Sequence, residues 1–193
     1  MEKFITTLNS YSLLSNEEIA ALQNVLSKSK MLTLKKGQYL WQYGDTPQIE
    51  VFVNEGLLRQ FTVEKNGNEK IIQLYQDQDF IHDCSGKPIE YAIQAIEDCN
   101  LLCTRNEDSE MLFTQFPVFE KSGRKMTEAL MLKHKAHVNL LLISNPEARY
   151  KLLQKTNPEL IKRLSVTHLA QYLSLSRETI SRIRGKVVEH SIL

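Results

Sequence analysis

The sequence predicts an α+β chain: a strand-rich roll near the N-terminus, one long helix, and a compact helical tail. Three observations predict it. Between Met31 and Thr104, apolar residues recur with a period of two and are punctuated by turn signals. From about Val118 to Ile143 the period lengthens to that of a helix, with only Gly123 as an interruption. After Asn145 the chain breaks into short amphipathic segments marked off by capping residues. The expected boundaries are 1–116 for an N-terminal helix and roll, 117–144 for the long helix, and 145–193 for the tail.

In the first segment, Ser15 and Glu18 have the spacing of a capping box, and Leu14 can staple onto Ile19. Ile19, Leu22 and Leu26 give that helix one buried stripe. Leu32–Leu34, Tyr39–Trp41, Val51–Val53, Leu57–Phe61, Ile71–Leu74 and Ala92–Ile96 read as short strands. Lys36-Gly37, Gly44-Asp45, Glu55-Gly56 and Asn66-Gly67 separate them, the last being a strong hairpin signal. Short strands with regular turns close into a sandwich or roll with a small cavity where a ligand can bind. Ser109–Phe116 reads as a short helix ended by Pro117.

Along the long helix, Met126, Leu130, Lys133, His137 and Leu140 alternate spacings of four and three, and Ala129, Leu132, Ala136 and Leu140 run beside them. That approximates two coiled-coil ridges, polar in the middle. The same residues also suit packing against the chain's own roll. His134 and His137 share a face but lack a third ligand, so a solvated pair is expected there and no metal.

The tail opens on Asn145-Pro146-Glu147, which supplies a cap, a first-turn proline and an acid for the helix dipole. The break at Ser144-Asn145 is the expected hinge. Leu152, Leu153 and Ile161 are expected to bury against the two helices of Ser165–Val187. In that stretch Leu169 and Leu173 share one helix face, and Ile180, Ile183 and Val187 share another. Ser165 and Ser176 can cap the two helices. Ala170 permits close approach, and Leu175 can plug the joint Ser174–Ser176. The second helix carries Arg177, Glu178, Thr179, Ser181, Arg182, Arg184 and Lys186 off its apolar face. This is the pattern of a helix-turn-helix recognition element. Arg can bond guanine O6 and N7 together, and Glu can accept from cytosine N4. Arg177, Glu178 and Arg182 are therefore expected to read base edges, with Ser181 at a base or a phosphate. Thr179 and Lys186 are expected on the DNA backbone.

L-A-x-x-L-x-x-S-R-E-T-I-S-R, Leu169 to Arg182, resembles the DNA-binding signature of the cyclic-AMP receptor/FNR-type family of bacterial transcription regulators. Ser174 departs from it, standing where the family usually has glycine. Gly37, Gly44, Gly56 and the stretch Val51–Arg59 resemble the turns and central hairpin of the family's regulatory β-roll, so the resemblance covers nearly the whole chain. It implies a double-stranded roll of the cyclic-nucleotide-binding type, a homodimer through 117–144, palindromic double-stranded DNA as partner, RNA polymerase as a further partner, and a cytoplasmic location. It also implies allosteric control by a small effector. The family's ribose-holding Gly-Glu pair is replaced by Asp79-Phe80-Ile81-His82-Asp83. Its phosphate-holding Arg-Ser or Arg-Thr is replaced by Pro88-Ile89-Glu90-Tyr91-Ala92, with Glu90 or Tyr91 near the arginine's place. A carboxylate repels phosphate, and Lys87 is the segment's one fixed cation. Tight cyclic-AMP binding by the usual contacts is not expected. His82, Asp83, Lys87, Glu90 and Tyr91 are the candidate pocket for a different effector. The wing that continues from the family's recognition helix is expected to be truncated after Arg184.

Composition agrees. The formal net charge is only +1, but residues 145–193 hold nine Lys/Arg against four acids, so the basic surplus sits on the tail. No apolar run approaches the ~18 residues of a membrane span, and Met1–Ile5 does not start a signal peptide. Cys84, Cys99 and Cys103 suit a reducing compartment and lack a metal-ligand pattern. His82 beside Cys84 is a weak haem signal, and no N-terminal cysteine cluster for iron–sulfur is present; no cofactor is expected. A metalloenzyme barrel needs clustered histidines, and only His82 lies between Met31 and Thr104, so no catalytic residues are expected. Two rival readings fit the same residues: a signalling adaptor whose tail binds protein, and a cyclic-nucleotide-responsive regulator with non-standard contacts.

Overall fold

A computed structural model describes residues 1–83 and 85–190, with side chains to residue 185. Helices α1 (Glu2–Tyr11) and α2 (Asn16–Lys28) precede eight strands: β1 (Lys30–Leu34), β2 (Tyr39–Trp41), β3 (Ile49–Glu55), β4 (Leu58–Val63), β5 (Glu69–Tyr75), β6 (Phe80–Ile81), β7 (Ala92–Ala95) and β8 (Cys99–Arg105). Then come α3 (Asn106–Gln115), α4 (Pro117–Leu141), α5 (Pro146–Thr156), α6 (Pro158–Arg163), α7 (Val166–Leu173) and α8 (Arg177–His190). The chain forms two compact units. One comprises residues 1–61 and 74–130, the other residues 62–73 and 131–193.

The strands form two four-stranded sheets, ordered β1-β8-β3-β6 and β2-β7-β4-β5. Between them lies a core of Trp41, Val51, Val53, Leu58, Tyr75, Ile81, Ile89, Ile93 and Leu101. On the other face of the first sheet, Leu8, Leu22, Leu26, Leu112 and Phe119 from the helices cover Phe52 and Leu102. Edge-on packing of Phe4 against Phe52, centroids 5.1 Å apart, adds to that layer. The Ser15–Glu18 capping box forms as expected. Gly56 is needed where β3 turns into β4: its φ is +121°, and a Cβ there would lie 2.5 Å from Cys99 Sγ.

Three elements differ from expectation. β8, the strand pairing with both β1 and β3, is absent from the strands read in the sequence. Leu101 faces the core between the sheets and Leu102 the helical layer, so both neighbours are buried and the alternation disappears. β6 is two residues long, too short to show a period. α1 becomes a helix where only Phe4, Ile5 and Leu8 supply an apolar face. Cys84, the side chain of Lys186 and residues 191–193, the end of the expected truncated wing, lie outside the described residues.

In the second unit, Asn145 caps α5 by accepting from the backbone N–H groups of Glu147 (2.9 Å) and Ala148 (3.1 Å). One turn in, the buried Arg149 donates from Nη2 and Nε to Ile143 O (2.7 and 3.1 Å) and from Nη1 to Leu173 O (2.5 Å). One guanidinium thus ties the residues just after α4 to the end of α7. Bonds from a charged donor are worth about 1.5–3 kcal/mol each, so this joint is held firmly. The tip of the β4–β5 hairpin turns at Asn66-Gly67, closed by Gly67 N–H to Glu64 O at 2.8 Å.

α4 is the long helix expected, and the residues of its two expected ridges divide between packing and solvent. Met126 and Leu130 pack on the first unit's cores. His137 and Leu140 are buried. The large apolar side chains left exposed are Met131, Leu132 and Val138, with Leu142 just past the helix end. Of the first expected ridge, Met126, Leu130, His137 and Leu140 therefore serve the chain's own packing, while Lys133, and Leu132 and Ala136 of the second ridge, are exposed. The expected solvated histidine pair is also corrected, since His137 is only 7% exposed.

Candidate nucleic-acid interface

The tail folds into the two-helix element read in the sequence. The Ser165 hydroxyl accepts from His168 N–H at 3.1 Å and starts α7. Leu169 and Leu173 are fully buried, as is Ile180 across the joint, with Ile183 close to it. Ser174 takes the left-handed conformation at φ 49°, ψ 48°. A side chain there costs roughly 1–2 kcal/mol. Offsetting that, the backbone N–H groups of Ser174 and Leu175 both reach Ala170 O. The turn glycine of the resembling family is thus replaced without loss of the turn. Ser176 accepts from Thr179 N–H at 3.1 Å and starts α8.

Buried Ile180 and Ile183 fix which way α8 faces. At 3.6 residues per turn, Arg177, Ser181, Glu178 and Arg182 fall within an arc of about 140° opposite them, and all four are exposed. The Glu178 carboxyl is held below its ordinary value by its own backbone N–H at the helix start, then by the Ser176 hydroxyl. It is therefore an ionised acceptor at neutral pH. Thr179 stands on the flank of this arc, bonded to Ser176 at 3.0 Å. Arg184, read in the sequence with the outward set, instead turns back. Its Nη2 donates to Ile161 O (3.3 Å) and Leu164 O (3.5 Å), anchoring α8 to α6.

Sequence reasoning missed His137. Its ring stacks on Tyr172, centroids 4.0 Å apart and 4° from parallel. Nε2 lies 2.8 Å from Tyr172 O on α7, and Nδ1 lies 3.2 Å from Ile72 O on the hairpin. Burial, with a smaller push from His134, outweighs these two carbonyls and lowers the ring's pKa from its ordinary 6.5. The unfolded chain consequently binds the proton first as pH falls. Stability is full above pH 6.5 and declines as the pH drops from there toward the folded-state value. Urea unfolding at a series of pH values should show this slope, at most about 1.4 kcal/mol per pH unit for one group. His137→Gln should flatten it relative to the parent, and an unchanged slope would remove the assignment.

The candidate effector residues are arranged in separate pairs. Tyr91 donates to Asp83 Oδ2 at 2.7 Å, and Asp83 Oδ1 accepts from Ser85 N–H at 2.9 Å and its hydroxyl at 2.5 Å. The Ser85 and then the Tyr91 hydroxyl hold the Asp83 carboxyl below its ordinary range. His82 turns toward Glu50, 3.6 Å away, and Ser109 donates to that same carboxylate at 2.7 Å. Lys87 and Glu90 are exposed. The segment thus presents an ionised aspartate bonded to Tyr91. Among the described residues no His/Cys/Asp/Glu group has the makings of a metal site.

Comparison with known proteins gives the same architecture. A family model, the cyclic nucleotide-binding domain, matches residues 31–116. The transcriptional activator protein FnrA of Stutzerimonas stutzeri is 22% identical over 93% of this chain and 78% of its own length. Among solved structures, FixK2 from Bradyrhizobium japonicum is 19% identical with a TM-score of 0.73, covering 86% of this chain and 87% of that one. The Thermus thermophilus catabolite activator protein is 23% identical with a TM-score of 0.55, covering 96% and 88%. The shared fold is a roll of the cyclic-nucleotide-binding kind followed, after a long helix, by a helix-turn-helix. Over most of its length the chain is thus similar to transcription regulators, and over residues 31–116 it matches the cyclic nucleotide-binding domain. No helix among the described residues is long and apolar enough to cross a membrane.

Proposed function

We propose that two copies of this chain pair along α4 and set their α8 helices into successive major grooves of a palindromic duplex. The observation that carries the reading is the exposed arc of Arg177, Glu178, Ser181 and Arg182 opposite a buried Ile180–Ile183 face. Two arginines with an ionised glutamate between them suit guanine–cytosine pairs. Thr179 and Lys186 contact phosphates and set orientation. A protein-binding tail would instead expose aromatic or aliphatic anchors on this arc, and none stands there. Selection from a pool of random duplexes tests the reading. The expected product is a two-fold-symmetric sequence with half-sites about one helical turn apart. Recovery of no preferred sequence, with any effector present, would overturn it.

The roll's ligand in this reading is a small effector other than cyclic AMP. The Asp83–Tyr91 pair closes the segment that would otherwise meet a cyclic phosphate, and a carboxylate there opposes an anion. RNA polymerase is the further partner of the DNA-bound dimer, inside the cytoplasm. A thermal-shift screen of nucleotides and small ligands identifies the effector. At one hundred times its dissociation constant it adds about 2.7 kcal/mol of stability.

A further inference from the structure

The tip of the β4–β5 hairpin belongs to the same compact unit as the helix-turn-helix. Gln171 stands on α7, one turn ahead of the joint. The first helix of such an element crosses the DNA backbone, so its polar side chains meet phosphate oxygens. In this structure the Gln171 amide already has an anionic acceptor: its Nε2 donates to Glu69 Oε2 at 3.0 Å. Around this bond lies an open cleft of about 510 Å³, with Glu69 and Lys70 on the hairpin side and Ser176 and Arg177 on the other. A candidate base-reading arginine thus shares a cleft with a carboxylate. Farther along β5, the His137 ring lies between Ile72 O on the same hairpin and Tyr172 O on α7, packed against both. The carboxylate is therefore held in place from two points.

We propose that the hairpin tip is an autoinhibitory strap, in which the Glu69 carboxylate occupies the Gln171 amide that a DNA phosphate oxygen takes when a duplex seats. The inference rests on the DNA-binding reading above. A phosphate and a carboxylate cannot share one amide without repulsion, so the duplex displaces the tip as it seats. β4 and β5 run without a break from the core of the roll to this tip. Whatever shifts those strands changes how firmly the strap holds, and DNA binding in turn biases the strands.

The test compares wild-type protein with Glu69→Gln and with Glu64→Gln, using a labelled pool of random duplexes and fluorescence anisotropy. Glu69→Gln keeps an acceptor for Gln171 but removes the charge. Glu64→Gln removes the same charge elsewhere on the hairpin. Glu69→Gln should bind about five- to tenfold more tightly at low ionic strength, the low end of measured couplings between sites. That advantage should shrink as salt rises, and Glu64→Gln should stay within about twofold of wild type by the same screening. Hydrogen exchange of the Asn68–Ile72 amides should speed up when duplex is added. Equal affinity of Glu69→Gln and wild type, an equal gain from Glu64→Gln, or unchanged exchange would each overturn the strap while leaving the DNA-binding reading in place. Failure of all three proteins to bind any duplex would overturn both.

Discussion

Arg182→Ala should weaken binding to the selected duplex by about 1–3 kcal/mol, or roughly fivefold to more than a hundredfold, and relax the preference at one base pair of each half-site. The reason lies in the second turn of α8. Arg182 is exposed, while Ile183 beside it is buried and fixes the helix's rotation. A guanidinium projecting from that position can donate to guanine O6 and N7 together, a geometry that lysine cannot reproduce. Arg182→Lys should therefore restore the salt dependence of binding but not the lost base preference. The contrast with Arg184 sharpens the expectation. Arg184 lies two residues on but spends its donors on Ile161 O and Leu164 O, so Arg184→Ala should lower the stability of the tail and leave base preference intact. Binding titrations over a set of single-base variants, paired with urea unfolding, separate the two. An unchanged preference at every position in Arg182→Ala would assign base reading elsewhere.

What could be read in the sequence obeys a physical rule of range. Ser15, Asn145, Ser165 and Ser176 were legible as caps because a cap acts on amides two or three residues away. Leu169, Leu173, Ile180 and Ile183 were legible because burial on a helix leaves its period in the residue types. His137 was not, since its two partners lie 65 and 35 residues away. The same holds for Arg149, whose acceptor on α7 is 24 residues on, and for Glu69 with Gln171, 102 apart. Polar side chains that close such contacts carry no periodic mark. They stand out only once the tertiary structure shows which carbonyls they face. In β8 the strand was hidden because both faces are covered, which removes the alternation by which an exposed strand is recognised.

The same limit applies to α4, where two stripes fit the alternating four-and-three spacing and only burial distinguishes them. The stripe through His137 and Leu140 is consumed inside the chain. Met131, Lys135, Val138 and Leu142 repeat at four, three and four, and three of them are large apolar side chains left 65%, 54% and 75% exposed. Leu132, 66% exposed, stands beside them. A row this apolar is the kind of seam on which a second α4 packs, each knob entering a hole of its partner. Replacing Val138 and Leu142 together by aspartate should abolish pairing, since the two-fold axis would bring like charges into a dry contact. In the single chain both positions are exposed, and substitutions there cost within about 0.5 kcal/mol each, so the melting curve at low protein concentration should barely move. Sedimentation velocity should show a monomer in place of the dimer. Affinity for a full palindrome should fall about a hundredfold or more, because each half-site must then be bound without its tethered neighbour, whereas affinity for an isolated half-site should hold. A double variant that still sediments as a dimer would place the seam on another face of the molecule.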